Sequence, residues 1–234
     1  MARKKIVFVI VEGPSDDTAL GVILNRIFDS NTVHIEITHG DITSDWSDES
    51  TNILEKVAEF IDAYAANNHY NKEHFQQIIH LIDTDGTYIP DTSIVEDPSA
   101  ADKPVYMETA IHTAVPENIE IRNKFKRRAM DRLAARKTIW GVPYQCYYMS
   151  CNLDHALYGK QNSTDDEKEN DSYEFAKHYK DDIPGFLKLL CDSEISVTGD
   201  YLNSWKFIRE DLHSLERHTN FGIAFEDVYN GLNN

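Results

Sequence analysis

The stretch that most constrains the fold is residues 5–17, where a short apolar run leads directly into a helix. Six apolar residues, mostly β-branched, run without interruption from Ile6 to Val11, which predicts a strand buried on both faces. Glu12-Gly13-Pro14 ends the strand, and Ser15 is a suitable N-cap for a helix. The helix is indicated by an apolar stripe formed by Ala19, Leu20, Ile23, Leu24, Ile27 and Phe28. Glu12 therefore follows a buried strand, at the sheet edge where ligands bind in α/β proteins; a plain strand–helix turn with a solvated Glu is the alternative.

The next two strand signals extend this unit to β-α-β-α-β. Residues 33–38 alternate apolar and polar side chains, which predicts a half-exposed strand near the edge of the sheet. Residues 52–67 predict a helix capped by Ser50 or Thr51. Residues 76–82 predict a third strand, and Asp83-Thr84-Asp85-Gly86 follows it. This order favours a mostly parallel, Rossmann-like sheet flanked by helices.

The rest of the chain is less regular. Residues 87–120 contain four prolines and many acids, which predicts an irregular excursion. A helix over 120–137 and a strand over 144–150 follow, and the polar run 161–171 predicts a mobile loop. The remaining segments are predicted to be helical, namely 173–179, 185–191 and 201–217. We expect an α/β domain over 1–160 with an insertion at about 87–140, and a helical C-terminal extension over 161–234 packed on it.

The charge distribution is uneven. The chain of 234 residues has a formal net charge of −17, which argues against coating nucleic acid with its whole surface. Residues 122–137, however, hold eight basic residues and one acid. This predicted basic helix either binds nucleic acid or pairs with the acidic segment 91–102 of the same chain. The residues that we assign to nucleic-acid binding are Lys124, Lys126, Arg127, Arg128, Arg132 and Arg136.

No apolar stretch approaches the length of a membrane span, and the N-terminal apolar run is too short for a signal peptide. The three cysteines form no C-x-x-C pair. We therefore expect a cytoplasmic protein with free thiols and no membrane partner.

Carboxylates follow two strands of the predicted sheet. In a parallel sheet, Glu12 and the pair Asp83 and Asp85 emerge at the same edge. The two aspartates share one side of an extended backbone, so they can face one ion together. Carboxylate oxygens suit hard cations such as Mg²⁺, which also offset the repulsion between clustered acids. Each motif alone can also be an ordinary turn.

Val11-Glu12-Gly13, followed far downstream by Leu81-Ile82-Asp83-Thr84-Asp85-Gly86, resembles the TOPRIM domain, which is shared by topoisomerases, bacterial primases, small ribosomal-RNA maturases and OLD-type nucleases. The resemblance covers residues 4–90 well and 140–160 loosely. It implies a Rossmann-like fold, a general acid/base role for Glu12, and Mg²⁺ (or Mn²⁺) binding by Asp83 and Asp85.

The Glu-Gly-Pro-Ser-Asp form of the first motif is most similar to OLD-type nucleases. The resemblance implies a second acid four residues after Glu12, where Asp16 stands; it can hold a second metal with Glu12 or only stabilise the helix N-terminus. It also implies a polar group after the strand at 144–150, met by Asp154 and less well by Asn152. Lys206 could offset transition-state charge, as a basic residue does in OLD-type sites. His155 fits a packed or surface histidine better than a metal ligand.

These observations predict Mg²⁺-dependent cleavage of DNA or RNA. OLD-type nucleases usually carry an ATPase, but this chain has no G-x-x-x-x-G-K-[ST] loop. It would then act alone or with a separately encoded ATPase. The alternatives are a non-catalytic module that binds a metal or a protein partner, and a small-molecule phosphotransferase, which would carry its Asp-x-Asp after the first strand.

Overall fold

The protein is an α/β structure in which a mixed sheet is flanked by helices. The computed structural model describes residues 5–28, 42–43, 52–100 and 103–232, together with the backbone of 33–37. The strands are β1 (Ile6–Val11), β2 (Val33–Ile37), β3 (Phe75–Asp83), β4 (Ile94–Glu96), β5 (Val105–Tyr106), β6 (Ile111–Thr113), β7 (Thr138–Ile139) and β8 (Val142–Met149). The helices are α1 (Pro14–Ile27), α2 (Ile53–Asn67), α3 (Pro116–Ala134), α4 (Asp165–Tyr179), α5 (Ile183–Cys191), α6 (Tyr201–Phe207) and α7 (Glu226–Leu232).

The main sheet has the strand order β2-β1-β3-β8-β7. The first four strands pair in parallel, and the short β7 joins β8 in the antiparallel direction. The central β1 is covered on both faces, because residues Val7 to Val11 are at most 1% exposed. Its uninterrupted apolar sequence is therefore the pattern that a doubly buried strand requires.

The two faces of the sheet hold separate cores. One core packs β1, β3 and β8 against α1, α4 and α5, and the other packs the same strands against α2, α3 and α6. Side chains of the C-terminal segments, such as Phe186 and Phe225, lie in the same core as Val9 of β1. The folding of the C-terminal part is therefore coupled to that of the sheet.

The helix starts differ in detail from those predicted. Gly13, and not Ser15, is the N-cap of α1, and the Asp16 side chain accepts a hydrogen bond from the Gly13 N–H at 3.0 Å. Asn52 caps α2 by accepting from Leu54 N at 3.2 Å, so the predicted caps Ser50 and Thr51 are wrong. In both helices the N-cap lies one to two residues from a predicted position.

The segment predicted to be irregular contains a second sheet. Strands β4, β6 and β5 form it in that order, and Ile94 and Ile111 pack in a third core with Leu215. These strands are only two or three residues long, too short to show a period in the sequence. Helix α3 also begins four residues earlier than predicted, with Pro116 in its first turn, where proline needs no hydrogen-bond partner.

The C-terminal helices required two further corrections. Helix α4 begins at Asp165, inside the run predicted to be a mobile loop, and Thr164 caps it by accepting from Glu167 N. Helix α6 ends at Phe207, whereas a helix to residue 217 was predicted. Leu202 belongs to the apolar stripe on which that prediction was based, but its side chain is 65% exposed. The helical spacing of apolar residues in this segment therefore does not correspond to one buried face. Among the described helices, none combines the length and the apolar character of a membrane span.

We predict that Gly222→Ala destabilises the fold by about 1–3 kcal/mol, because a Cβ there would overlap the backbone carbonyl oxygen of Leu190 in α5. Gly231→Ala is the matched control, since a Cβ at 231 has no neighbour within 4 Å. Urea denaturation of both variants and the wild type measures the difference. Equal midpoints for the two variants would contradict this close packing.

Candidate active site at the carboxyl edge of the sheet

Glu12 and Asp83 lie together where β1 and β3 end. The two strands are neighbours in the sheet, and the Asp83 backbone N–H donates to Glu12 Oε1 at 3.2 Å. Seventy-one positions in the sequence separate these residues. The parallel pairing of β1 with β3 is what brings the Glu12 carboxylate to the start of the Asp-Thr-Asp-Gly turn.

The turn at residues 84–86 is held from two sides. Thr84 Oγ1 accepts from Cys151 N at 2.8 Å and donates to the Ser214 carbonyl oxygen at 2.9 Å. The Asp85 N–H donates to the Cys151 carbonyl oxygen at 2.7 Å. Asp85 and Gly86 have φ values of +48° and +64°, in the left-handed region. These bonds fix the turn against the end of β8 and the C-terminal segment.

Asp85 pairs with a buried lysine of α3. Lys126 Nζ lies 2.5 Å from Asp85 Oδ2, and the Lys126 side chain is 0% exposed. We expected Asp83 and Asp85 to share one side of an extended backbone, but β3 ends at Asp83 and the chain turns at Asp85. The alternation of side chains along a strand therefore does not apply to this pair, and Asp85 already has a cation as its partner.

A second pair of carboxylates consists of Asp16, in the first turn of α1, and Asp154, in the turn after β8, and the two interact electrostatically. Both are buried. Burial raises the pKa of Asp16 to about 6; the Gly13 N–H opposes this rise and the charge of Asp154 adds to it. Burial likewise raises the pKa of Asp154, although the Lys168 ammonium, 3.9 Å from its Oδ2, lowers it. This Oδ2 accepts no hydrogen bond from the described residues. The structure thus groups Asp154 with Asp16.

Asn152 and Lys206 have local structural partners. The Asn152 side chain accepts a hydrogen bond from His155 N at 2.8 Å and donates one to the Gln161 carbonyl oxygen at 3.1 Å. These two bonds stabilise the π-helical turn Asp154–Tyr158. Lys206 is exposed and donates to Asn203 of its own helix at 3.2 Å. Lys126, which the sequence analysis assigned to nucleic acid, contacts the Asp85 carboxylate of the Asp-Thr-Asp-Gly turn.

The basic residues of α3 divide into two faces. Lys126 and Arg127 are turned toward the protein: Arg127 donates to the carbonyl oxygens of Thr87 and Ile89, at 2.5 and 3.2 Å, and lies 3.6 Å from Asp91. The expectation that these two residues contact nucleic acid is corrected accordingly. Their side chains are used inside the chain, and the contact with Asp91 is the internal pairing weighed as the alternative.

The other face of α3 carries an exposed basic stripe, defined here as Lys124, Arg128, Arg132 and Arg136. None of their four side chains forms an ion pair or a hydrogen bond within the described part of the chain. The buried positions Ile119, Asn123, Lys126, Met130 and Leu133 repeat at helical spacing. That spacing is the signal from which the inward position of Lys126 could have been predicted.

The family resemblance implies that these carboxylates bind Mg²⁺. In the described ranges, no three acidic, histidine or cysteine side chains are placed to hold a metal ion. Of the three residues predicted to form the metal centre, Asp85 pairs with Lys126. Glu12 and Asp83 fit a smaller site, since Mg²⁺ keeps several waters and is often bound by one or two carboxylates with substrate phosphates.

Comparison with family models, with curated protein sequences and with solved structures found no match to this chain. The relation to TOPRIM proteins therefore stays a prediction that depends on the residues and geometry given above.

We predict that Lys126→Met destabilises the protein by about 3 kcal/mol, because it leaves the half-buried Asp85 carboxylate without its cation. The double variant Lys126→Met/Asp85→Asn should regain most of this loss, since Asn tolerates the left-handed backbone. Chemical denaturation of the single and double variants gives the coupling. Lys124→Met, on the exposed face of the same helix, should change stability by less than about 0.5 kcal/mol. Additive effects of the two substitutions would rule out the pair.

We predict that Asp16→Asn stabilises the metal-free protein at pH 8. The folded-state pKa of Asp16 is raised from 3.8 to about 6, so the stability that its protonated form contributes is complete below pH 3.8 and is lost as the pH rises through 6. Asn keeps an oxygen for the Gly13 N–H and carries no charge. The gain should be on the order of 2 kcal/mol at pH 8 and should shrink toward zero near pH 4. Denaturation across this range checks it; a gain independent of pH would contradict the assignment.

Proposed function

We propose that this chain is a TOPRIM-like, Mg²⁺-dependent nuclease that cleaves phosphodiester bonds in DNA or RNA. The observation that carries the proposal is the Glu12 carboxylate held against the backbone of Asp83, at the carboxyl edge of parallel strands. A Rossmann-like arrangement of β1, β2, β3 and β8 is part of the proposal. It is supported by their parallel pairing and by the acids that follow β1, β3 and β8.

The residues have separate roles in this proposal. Glu12 and Asp83 hold Mg²⁺ or Mn²⁺, which supplies a Lewis acid and a more acidic bound water. Asp16 and Asp154 form a second carboxylate pair, and burial raises the pKa of both. Asp85 positions Lys126, and with it α3, at the same edge.

The exposed basic stripe is the proposed contact for the nucleic-acid backbone. Lys124, Arg128 and Arg132 recur every fourth residue of α3, an advance of about 6 Å per step that is close to the spacing of neighbouring phosphates in a strand, and Arg136 follows just beyond the end of the helix. Helix α3 contacts the Asp85 turn through Lys126, so the stripe begins next to the acidic edge. A chain with a net charge of −17 needs such a local positive surface to hold a polyanion.

A second candidate function is a non-catalytic TOPRIM-like module that binds a metal or a protein partner. The contact between Lys126 and Asp85 favours it, because the lysine takes up one carboxylate of the predicted metal centre. The OLD-type resemblance adds a separately encoded ATPase as a proposed partner for either function. Metal-dependent cleavage distinguishes the two candidates.

We predict that Glu12→Gln and Asp83→Asn each lower the rate of cleavage by about 100-fold or more, because each removes a carboxylate from the reacting edge. The assay uses end-labelled single-stranded and duplex DNA and RNA with Mg²⁺ or Mn²⁺. Glu59→Gln, an exposed acid on α2, is the matched control and should cleave like the wild type.

Equal cleavage by the wild type and both variants would sink the nuclease proposal. If no preparation cleaves, but Mg²⁺ raises the Tm of the wild type and not that of Glu12→Gln, the metal-binding module is supported instead.

A further inference from the structure

A cavity of about 430 Å³ is lined by the first halves of β3 and β8, the end of α3 and the start of α6. The short β7 pairs only with Val142 and Pro143, and beyond it the edge is approached by the end of α3 and the start of α6. The lining residues include Gln77, Ala135, Arg136, Lys137, Tyr201 and Leu202.

The lining combines an aromatic ring that is held in place with a polar side chain that can form hydrogen bonds to a ligand. The Tyr201 hydroxyl donates to the Cys146 carbonyl oxygen at 2.8 Å, which holds the ring at the strand edge. Leu202 adds an apolar side chain that is 65% exposed. The Gln77 amide, which offers both a donor and an acceptor, makes no hydrogen bond within the described part of the chain. The one acid in the lining, Asp200, is occupied as the cap of α6.

The cavity stands at the far end of the exposed basic stripe. Arg136 is both the last residue of the stripe and part of the lining. The ten residues from Lys124 to the end of α3 at Ala134 advance about 15 Å along the helix, and Arg136 follows two residues later. The distance along β3 is similar, because the six residues from Gln77 in the cavity to Asp83 at the acidic edge span about 20 Å. The stripe therefore connects the acidic edge to the cavity over a distance of a few nucleotides.

We propose that this cavity binds an unpaired nucleobase of the substrate strand, a few nucleotides from the phosphodiester held at the acidic edge. This inference rests on the proposed function. A base has flat apolar faces that stack on a ring such as Tyr201, and a polar rim that an amide such as Gln77 can bond. In this arrangement, Arg136 and Lys137 contact the phosphates on either side of the bound base. A base inside a duplex cannot enter such a pocket, so the substrate class is single-stranded nucleic acid.

The test blocks the cavity from an exposed position. Ala135→Phe places a ring in its wall, and Ala66→Phe on α2 is the matched control because Ala66 is equally exposed and far along a different helix. Fluorescence anisotropy with 12-nucleotide DNA and RNA strands, in EDTA, measures binding without metal or cleavage. We expect Ala135→Phe to weaken single-strand binding about tenfold, and Ala66→Phe to bind like the wild type. Thermal melting of both variants confirms that each is folded.

Oligonucleotides that lack one base provide the second arm. For the wild type, one position in the strand should be sensitive to loss of its base, and the same loss should have little further effect on Ala135→Phe. Gln77→Ala should also weaken binding, without a change in the salt dependence that the stripe produces.

The outcomes separate this inference from the proposed function. If Ala135→Phe binds like the wild type while Arg128→Gln/Arg132→Gln binds more weakly, the cavity is not a base site, and the proposed function is unaffected. Equal affinity of the wild type for duplex and single strand also overturns the base site. If the cavity variants weaken binding but no preparation cleaves, the inference holds and the nuclease proposal fails. A wild type that binds no nucleic acid overturns both.

Discussion

The contact between Lys126 and Asp85 is the interaction on which the arrangement of the site depends. A fully buried ammonium group costs several kcal/mol of desolvation, and the Asp85 carboxylate at 2.5 Å offsets that cost. The pair joins the turn after β3 to the middle of α3. Arg122 strengthens the same junction by donating to the Asp85 carbonyl oxygen at 2.7 Å. The rotation of α3 about its axis is thereby set, and the exposed basic stripe is left on the opposite face.

The distribution of charge at the carboxyl edge depends on which acids are paired with a basic side chain. Asp85 has Lys126, whereas Asp16 and Asp154 interact with the more distant Lys168, and burial raises the pKa of both. Negative charge is thus concentrated around the first turn of α1. Such an edge attracts a divalent cation and repels a polyanion. A surface of the opposite sign, such as the stripe, is then required next to it if a nucleic acid is to approach.

The elements that could be predicted are those whose sequences carry one clear pattern. The apolar runs of β1, β3 and β8 predict buried strands because both faces of each strand are covered, and the α/β class follows from their alternation with helices. The small sheet β4-β6-β5 escaped prediction because each strand is too short for a period. The start of α4 was missed because its first turns are polar and acidic, as suits an exposed helix N-terminus.

The candidate site could likewise be predicted from the sequence only in part. The order of residues is enough to place Glu12 and Asp83 directly after buried strands, since strand ends are local features, and it suggests a common edge through the preference for parallel pairing. The partner of Asp85 could not be read in this way. Lys126 comes forty-one positions later, and it reaches Asp85 only because α3 packs with one particular face against the sheet. The grouping of Asp154 with Asp16 likewise depends on tertiary structure, because Asp16 lies in α1 and Asp154 opens the turn after β8, far apart in the sequence. Long-range packing, and not composition, decides which charges meet.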